Sequence, residues 1–407
     1  MLRWIRFMRL FNNIFRKDLP DLDQIQKQGL LAVKIGQTFA LRIDFLGAEK
    51  CNHLAKLYSK TNPIDTEDVK QLLASYTEPR WMDNFASIED TPIGSASVGQ
   101  VHRAKLKTGE DVVVKFIKKD FKKKFEKDVR SLRRFVKMII FFYRKLAKVA
   151  DPVGILEHIE EYTLAELDLR NEIKNGQVLR DIYKKNKDHF NLERLSFPKI
   201  YEDLSSEFVL VSEYIDGETV DDLIERKALS KEDILEIFHI HGFYIFLVGT
   251  FHGDLHPGNI MYKDNTFYFI DTGALSTVDP KTQNGLFEFM VNLSYYDYPA
   301  CAQSLNDMAA EDISGAQFEK YQAKLLDLYK DFKGKTVTEI SLTRKMMQTI
   351  KLGVLSGMSF QKGMFPIIKS MMYLDGIVLK GNPDSILMEE MRPFIKEFRD
   401  IKAEIKT

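Results

Sequence analysis

Apolar and polar residues follow two different periods along this 407-residue chain, and the periods change in a definite order. From Leu22 to Phe85 apolar residues recur at helical spacing, with a break at Asn62–Pro63. Val101–Leu106 and Val112–Phe116 then alternate as strands on either side of a turn at Lys107–Glu110, which predicts a β-hairpin. The first part of the chain is therefore predicted to be a helical segment followed by a small sheet.

The rest of the chain is predicted to be mostly helical. Ile155–Gln177 and Asp221–Val248 carry helical patterns, and the chain beyond Ser276 is helical to its end. Phe197–Tyr201 and Phe208–Val211 favour two further strands. Together with the hairpin, this order of elements predicts an α+β fold.

One stretch, Phe251–Ala274, carries the strongest candidate chemistry. It places Asp254, Asn259 and Asp271 on short loops between apolar strands, and Asp271 follows the strand Phe267–Ile270. In phosphoryl transfer one aspartate orients a nucleophile, while an asparagine and a second aspartate hold Mg²⁺ against the nucleotide phosphates. A turn at Lys263–Thr266 is predicted between the strands of this stretch. The alternative to a catalytic site is a pair of capped turns, because Asp, Asn and Gly are common turn residues.

A small-residue loop, Pro92–Ala104, precedes the hairpin. It is neither a Walker P-loop nor a GxGxxG loop, so it is expected to hold a nucleotide in a different way. Lys115, at the end of the VVVKF strand, is expected to contact the α- and β-phosphates, and Glu172 on a following helix is the candidate for pairing with Lys115. The loop residues predicted to bind the nucleotide are Ser95, Ala96, Ser97, Val98, Gly99 and Gln100.

The segment that follows Phe208–Val211 is a candidate hinge between two lobes. An apolar strand runs into Glu213–Gly217, a short connector that ends in glycine. The backbone of Glu213 and Ile215 is predicted to hydrogen-bond the adenine of ATP or ADP.

Composition excludes several classes of function. The formal net charge is zero, so nucleic-acid binding is not expected. The two cysteines, Cys51 and Cys301, lie in no CxxC pattern, which argues against a disulfide or zinc framework. The longest apolar runs fall short of the roughly 18 residues of a membrane span. We therefore expect a cytoplasmic protein that is soluble or peripheral to the membrane.

The first 17 residues alternate arginines with large apolar side chains and contain no acidic residue. At helical spacing this predicts an amphipathic arm, for which three interpretations stay open: contact with an anionic membrane, packing on the protein itself, or an organelle transit peptide. The basic run Lys115–Lys148, which leads into apolar Val136–Tyr143, is either a solvated helix face or a second membrane contact. Six methionines between Met346 and Met372 indicate core packing or, alternatively, a groove for lipid.

Taken together, the separated motifs resemble the UbiB (AarF-domain) family of atypical protein-kinase-like proteins. The motifs are KxGQ at Lys34–Gln37, SASVGQVHRA, VVVKF, the ExD at Glu166–Asp168, HGDLHPGN and IDTG. The resemblance implies a bilobal protein-kinase-like fold with an N-terminal helical extension and a mostly helical C-lobe.

The resemblance also implies roles for individual residues. Lys34 and Gln37 would cover the nucleotide site near Glu166 and Asp168 as regulatory residues. Asp254 would take the catalytic-loop role. Lys115 would pair with Glu172. Asn259 and Asp271 would bind Mg²⁺.

Family members are linked to ubiquinone and other isoprenoid-lipid metabolism and behave more like ATPases than protein kinases. The implied partners are a nucleotide, an isoprenoid or phenolic lipid precursor, an anionic membrane and a lipid-biosynthesis protein complex. The predicted domains are an arm at 1–20, the extension at 21–90, an N-lobe at 91–213 and a C-lobe at 214–407.

Two departures from the family pattern stand out: IDTG replaces DFG, and IKKD follows VVVKF where a VQRPG-like sequence is common. Two other functions remain open. HGDLHPGNI is equally similar to aminoglycoside- or choline-type small-molecule kinases, although those need neither KxGQ nor ExD. A pseudokinase scaffold that binds nucleotide without catalysis is the second alternative.

Overall fold

The computed structural model describes residues 2–40, 46–57, 66–118, 121–142, 152–361 and 364–406. The chain divides into two compact units. The first unit consists of Met1–Lys174 and Pro198–Tyr214, and the second consists of Asn175–Phe197 and Ile215–Thr407. The mixed α and β character predicted from the sequence is confirmed in the described residues. The four-part division predicted from the sequence stays a prediction.

The first unit contains a four-stranded antiparallel sheet. In spatial order its strands are Phe85–Ser95, Gly99–Leu106, Asp111–Ile117 and Val209–Glu213. The predicted hairpin is confirmed, and the alternating residues Val112, Val114 and Phe116 of its second strand are fully buried. The strand Phe85–Ser95 was not predicted, because it is an edge strand whose side chains are mostly exposed and carry no clear alternation.

Most described helices of the first unit line a second apolar core, whereas Thr66–Tyr76 contributes Val69 and Leu73 to the core of the sheet. The described helices are Leu2–Phe15, Leu22–Lys27, Leu30–Ala40, Ala48–Ala55, Thr66–Tyr76, Lys122–Phe142, Pro152–Glu166 and the start of Arg170–Asn186. The prediction of one helix over Ile155–Gln177 is wrong, because the chain breaks between Glu166 and Arg170. Leu167 and Leu169 turn into an apolar cluster there, and the Asp168 carboxylate accepts the Arg170 backbone N–H at 3.1 Å, which starts the second helix.

The N-terminal arm packs on the first unit. Its Phe7, Leu10 and Ile14 are buried in the core that the helix Lys122–Phe142 also lines. Arg6 pairs with Asp128 of that helix at 2.9 Å. The packing interpretation therefore holds for one face of the arm. The predicted break at 62–63 and the end of the predicted apolar run at 143 lie outside the described residues.

The second unit has two small sheets. The strands Leu195–Ser196, Thr266–Phe269, Ile260–Lys263 and Glu218–Thr219 form one sheet in that order, and Thr250–His252 pairs with Leu275–Thr277. The predicted turn at 263–266 is confirmed: Asp264 and Asn265 both have positive φ (47° and 63°), as a tight hairpin turn needs. The predicted strand Phe197–Tyr201 is wrong, because Pro198 has no N–H to donate and Ile200 forms only an isolated bridge.

The remainder of the second unit is helical, as predicted. Its helices are Val220–Glu225, Lys231–Gly242, the π-helix Phe243–Val248, Pro280–Ser294, Tyr298–Met308, Gly315–Tyr329, Leu342–Leu355, Met364–Gly381, Leu387–Glu390 and Arg392–Lys406. Met346, Met358, Met364 and Met371 are buried in the core of this unit, which favours the packing interpretation of the methionines.

Two further observations apply to the described residues. Cys51 of the first unit and Cys301 of the second are both buried thiols outside any disulfide. Among the helices that the structure describes, none combines the length and the apolar character that crossing a bilayer requires.

Candidate active site

In the first unit, Lys115 and Glu172 form an ion pair. Lys115 lies on the strand Asp111–Ile117, and its Nζ is 2.8 Å from Oε2 of Glu172. Glu172 occupies the first turn of the helix Arg170–Asn186, where backbone N–H groups favour a carboxylate. The side chains of Lys115 and Glu172 are only 18% and 9% exposed, so the pair is partly shielded from water. The pairing expected from the sequence is present, while the contact with phosphate stays a prediction.

The loop predicted over Pro92–Ala104 is shorter than expected, because only residues 96–98 connect the strands Phe85–Ser95 and Gly99–Leu106. Ala96 donates its N–H to the Gly99 carbonyl at 2.9 Å, and Lys118 donates its N–H to the Val98 carbonyl at 2.8 Å. A Cβ at Gly99 would lie 3.3 Å from the carbonyl oxygen of Phe116, so a glycine suits this close approach of two backbones. Ser95, Ala96 and Ser97 retain exposure, which leaves them accessible to a ligand.

Gln100 is placed differently from the other loop residues. Its side chain is fully buried, and its Nε2 lies 2.9 Å from Nε2 of His102. The other ring nitrogen of His102 donates to the Glu89 carbonyl at 2.6 Å. Gln100 therefore supports the loop from inside the sheet in this structure, and its contact with a nucleotide stays a prediction.

The KxGQ residues are built into the helices of the first unit. Lys34 is buried, forms an ion pair with Glu166 and lies 5.6 Å from the centre of the Tyr162 ring. Gln37 donates to the Leu57 carbonyl at 2.9 Å. A Cβ at Gly36 would come within 2.6 Å of a Leu57 methyl group, which explains the glycine of this motif.

Asp168, the second acid of the ExD motif, faces Arg170. The guanidinium of Arg170 donates two hydrogen bonds to the Asp168 carboxylate, at 2.9 and 2.7 Å. These bonds hold the pKa of Asp168 below its usual range. The structure thus brings Lys34 to Glu166 and gives Asp168 a separate role at the start of a helix.

The candidate hinge coincides with a boundary between the units, which falls after Tyr214. The N–H of Glu213 donates to the Lys199 carbonyl at 2.8 Å, and its carboxylate accepts the Lys199 N–H at 3.0 Å. Ile215 is buried, and its carbonyl accepts the N–H of Gly217. The predicted adenine contacts of Glu213 and Ile215 stay predictions.

In the second unit, His252 joins the loop of Asp254 to the loop of Asp271. Nδ1 of His252 accepts the Asp254 backbone N–H at 3.1 Å, so Nε2 carries the hydrogen and donates to the Ile270 carbonyl at 3.1 Å. His252 is completely buried, and this burial lowers its pKa and keeps the ring neutral. One side chain therefore fixes both loops.

Asn259 and the residue before Asp271 are in backbone contact, because the Ile270 N–H donates to the Asn259 carbonyl at 3.0 Å. Asn259 donates its Nδ2 to the Asp254 carbonyl at 3.0 Å, which turns the amide oxygen away from that contact. Asp271 is exposed and has a φ of 52°, a left-handed conformation that is uncommon for non-glycine residues and that Asp and Asn adopt more readily than most. Among the residues that the structure describes, no group of three or more His, Cys, Asp or Glu side chains is arranged for a metal ion. Two oxygen ligands fit Mg²⁺, which completes its shell with phosphates and water.

Two side chains that contact Asp254 were not predicted from the sequence. Lys369 Nζ lies 2.8 Å from Oδ1 of Asp254, and the Tyr373 hydroxyl donates to the same oxygen at 2.8 Å. Burial would raise the pKa of Asp254, but the charge of Lys369 and the two hydrogen bonds outweigh it and hold the pKa well below its usual range. The available signal was a lysine within the apolar helix Met364–Gly381, where a buried charge needs a partner.

Comparison with known proteins defines the class. The family model described as ABC1 atypical kinase-like domain matches residues 56–305, more than half of the chain. The chain therefore belongs to the ABC1 atypical kinase-like family, and the family predicted from the separated motifs is confirmed.

Individual relatives agree with this assignment. The chain is 26% identical over 390 residues to the probable protein kinase UbiB of Vibrio cholerae, with 92% of this chain and 69% of the relative covered. It is 28% identical over 386 residues to the protein of the same name from Aliivibrio fischeri, with 91% and 69% covered. A solved complex of Rv3197 with erythromycin, from Mycobacterium tuberculosis, shares the fold with a TM-score of 0.53 at 20% identity, covering 88% of this chain and 89% of that one. The kinase-like α+β fold class is confirmed.

Proposed function

We propose that this protein is a Mg²⁺-dependent ATPase or phosphotransferase of the atypical kinase class. The proposal rests on the two hydrogen bonds of His252. One ring nitrogen bonds to the Asp254 loop and the other to the Asp271 loop, so both loops are held in one arrangement. Two carboxylates and an amide held by short loops are what transfer of a terminal phosphate requires. Membership of a kinase-like family supports the same reaction class.

Each residue has a separate task in this proposal. Asn259 and Asp271 would hold Mg²⁺, which when bound would supply positive charge to the phosphates. Asp254 accepts a hydrogen bond from the attacking water or hydroxyl and orients it. Lys115, which Glu172 holds in place, contacts the α- and β-phosphates. The reaction then depends on position and electrostatics more than on covalent chemistry.

We extend the proposal to a protein that acts in isoprenoid-lipid metabolism at a membrane surface. The arm buries one face, while Ile5 and Met8 are exposed beside Arg9, and Arg16 is exposed at the end of the arm. Apolar side chains next to arginines suit a peripheral contact with an anionic membrane. A phenolic or isoprenoid precursor of ubiquinone, or of a related lipid, would then be the acceptor or the activating ligand.

The test is phosphate release from ATP by the purified protein, with and without Mg²⁺ and anionic liposomes. Asp271→Asn removes a metal-binding charge and should lower the rate by about 100-fold or more. Asp264→Asn is the matched control, because it makes the same chemical change at another aspartate with positive φ, in a hairpin turn. If wild type, Asp271→Asn and chelated protein release phosphate equally, the ATPase proposal fails and a binding scaffold is favoured.

A further inference from the structure

A helix far along the chain from the motif stretch supplies the two side chains that fix Asp254. Lys369 and Tyr373 lie four residues apart on Met364–Gly381, so they share one face of that helix. Both reach Oδ1 of Asp254 at 2.8 Å, and the Lys369 side chain is only 11% exposed. All three residues belong to the second unit.

The chain from Asp254 to Asn259 contains no lysine or arginine of its own, and its residues are Asp, Leu, His, Pro, Gly and Asn. A catalytic carboxylate in a short loop is useful only if it keeps one orientation, because misplacement by about 1 Å can cost 10²-fold in rate. A cation and a hydroxyl from one helix remove the rotational freedom of this carboxylate. The rings of His256 and Tyr373 also pack in a T-shaped contact, with ring centres 5.4 Å apart at 87°.

We propose that Lys369 is a positioning residue for phosphoryl transfer, which acts through Asp254 and is assisted by Tyr373. This inference rests on the proposed function, because it assigns the orientation of the nucleophile to Asp254. A purely structural ion pair would anchor the helix and affect stability alone. A positioning role instead affects turnover of bound ATP, and it disappears when the Asp254 carboxylate is absent.

The experiment measures kcat and KM for MgATP hydrolysis in Lys369→Met, Tyr373→Phe and Asp254→Asn, and in the Lys369→Met/Asp254→Asn double variant. Methionine keeps most of the lysine's unbranched length without its charge. Lys380→Met is the matched control, because Lys380 lies on the same helix but is 63% exposed, and its Nζ is as far as 4.0 Å from the Asp221 carboxylate. Melting curves establish that each variant is folded.

We expect Lys369→Met to lower kcat about 10- to 100-fold with KM nearly unchanged, and Tyr373→Phe to lower kcat about 3- to 10-fold. In the Asp254→Asn background, Lys369→Met should cause no further loss. Lys380→Met should leave both constants unchanged.

Three results would overturn the inference: an unchanged kcat in folded Lys369→Met, a change confined to KM, or losses that multiply in the double variant. The last result would mean that Lys369 acts independently of Asp254. If Lys369→Met does not fold, Tyr373→Phe decides, and an unchanged kcat there counts against the inference. Absence of hydrolysis in wild type would instead overturn the proposed function, which separates the two failures.

Discussion

Two lysine–carboxylate ion pairs, one in each unit, have the same contact distance but differ in the sequence signals that predict them. Lys115–Glu172 and Lys369–Asp254 both close at 2.8 Å, with side chains that are at most 18% exposed. The first pair joins a strand to a helix that follow a recognisable sequence pattern. The second joins a motif loop to a helix that carries no motif. Two ion pairs with the same contact distance can therefore differ in whether the sequence predicts them.

The two pairs also differ in what the carboxylate does. Glu172 orients a lysine that is expected to hold phosphate, whereas Asp254 is oriented by a lysine and is itself expected to contact the nucleophile. A carboxylate that touches the reacting atoms should matter more to turnover than one that acts through its partner.

The largest expected effect is that of Asp254→Asn. Loss of the carboxylate that orients the nucleophile should lower kcat for ATP hydrolysis about 10²- to 10⁴-fold. Glu172→Gln, the same chemical change at the other pair, should cost about 10-fold and act partly through KM. Steady-state phosphate release measures both, and equal losses in the two variants would remove the distinction between the pairs.

A smaller effect is expected for Lys115→Met on nucleotide affinity. Removal of a phosphate-contacting cation should weaken MgADP binding about 10- to 100-fold, because a hydrogen bond to a charged group contributes about 1.5–3 kcal/mol and each 1.4 kcal/mol is about tenfold in affinity. Titration calorimetry measures the change. Lys369→Met should bind MgADP nearly as wild type does; a comparable loss there would mean that both lysines serve binding.

A side chain at Gly253, the residue before Asp254, should lower the stability of the fold. A Cβ there would lie 2.4 Å from the Ser276 hydroxyl, so Gly253→Ala should cost about 1–3 kcal/mol of unfolding free energy. Adding Ser276→Gly removes the clashing atom and should recover part of that loss. Urea denaturation of the single and double variants tests this, and an undisturbed Gly253→Ala protein would contradict the tight packing of the loop.

The smallest effect on catalysis is expected for the exposed face of the arm. Ile5→Glu and Met8→Glu change exposed side chains outside the apolar core, so hydrolysis without lipid should be unchanged. Binding to anionic liposomes should fall several-fold, because two acidic side chains oppose both insertion and attraction. Flotation with liposomes measures it; unchanged flotation would remove the arm from the membrane proposal.

Sequence patterns predicted the parts of the molecule in which neighbouring residues determine the structure. The hairpin around Lys107–Glu110 and the turn at Asp264–Asn265 depend on residues within a few positions of each other, and local chemistry was sufficient to predict them. Lys115 and Glu172 are 57 residues apart, and their pairing was expected from the known order of kinase elements.

The remaining features depend on tertiary structure. The edge strand Phe85–Ser95 has no apolar alternation because most of its side chains face water. The break at Leu167–Leu169 arises because both leucines enter a core cluster, and helical periodicity did not reveal it. Contacts of Lys369 and Tyr373 with Asp254 arise only when a remote helix packs beside the loop. No fixed spacing or motif in the sequence links residues that meet only in the folded protein.

The two buried cysteines provide separate probes of the two units. A thiol shielded from solvent reacts with a labelling reagent only when its surroundings open, and burial also raises the pKa of Cys301, which keeps it in the unreactive protonated form. Cys51 reports opening of the first unit and Cys301 opening of the second. Timed alkylation in denaturant, followed by peptide mass analysis, would therefore show whether the chain unfolds in one transition or in two.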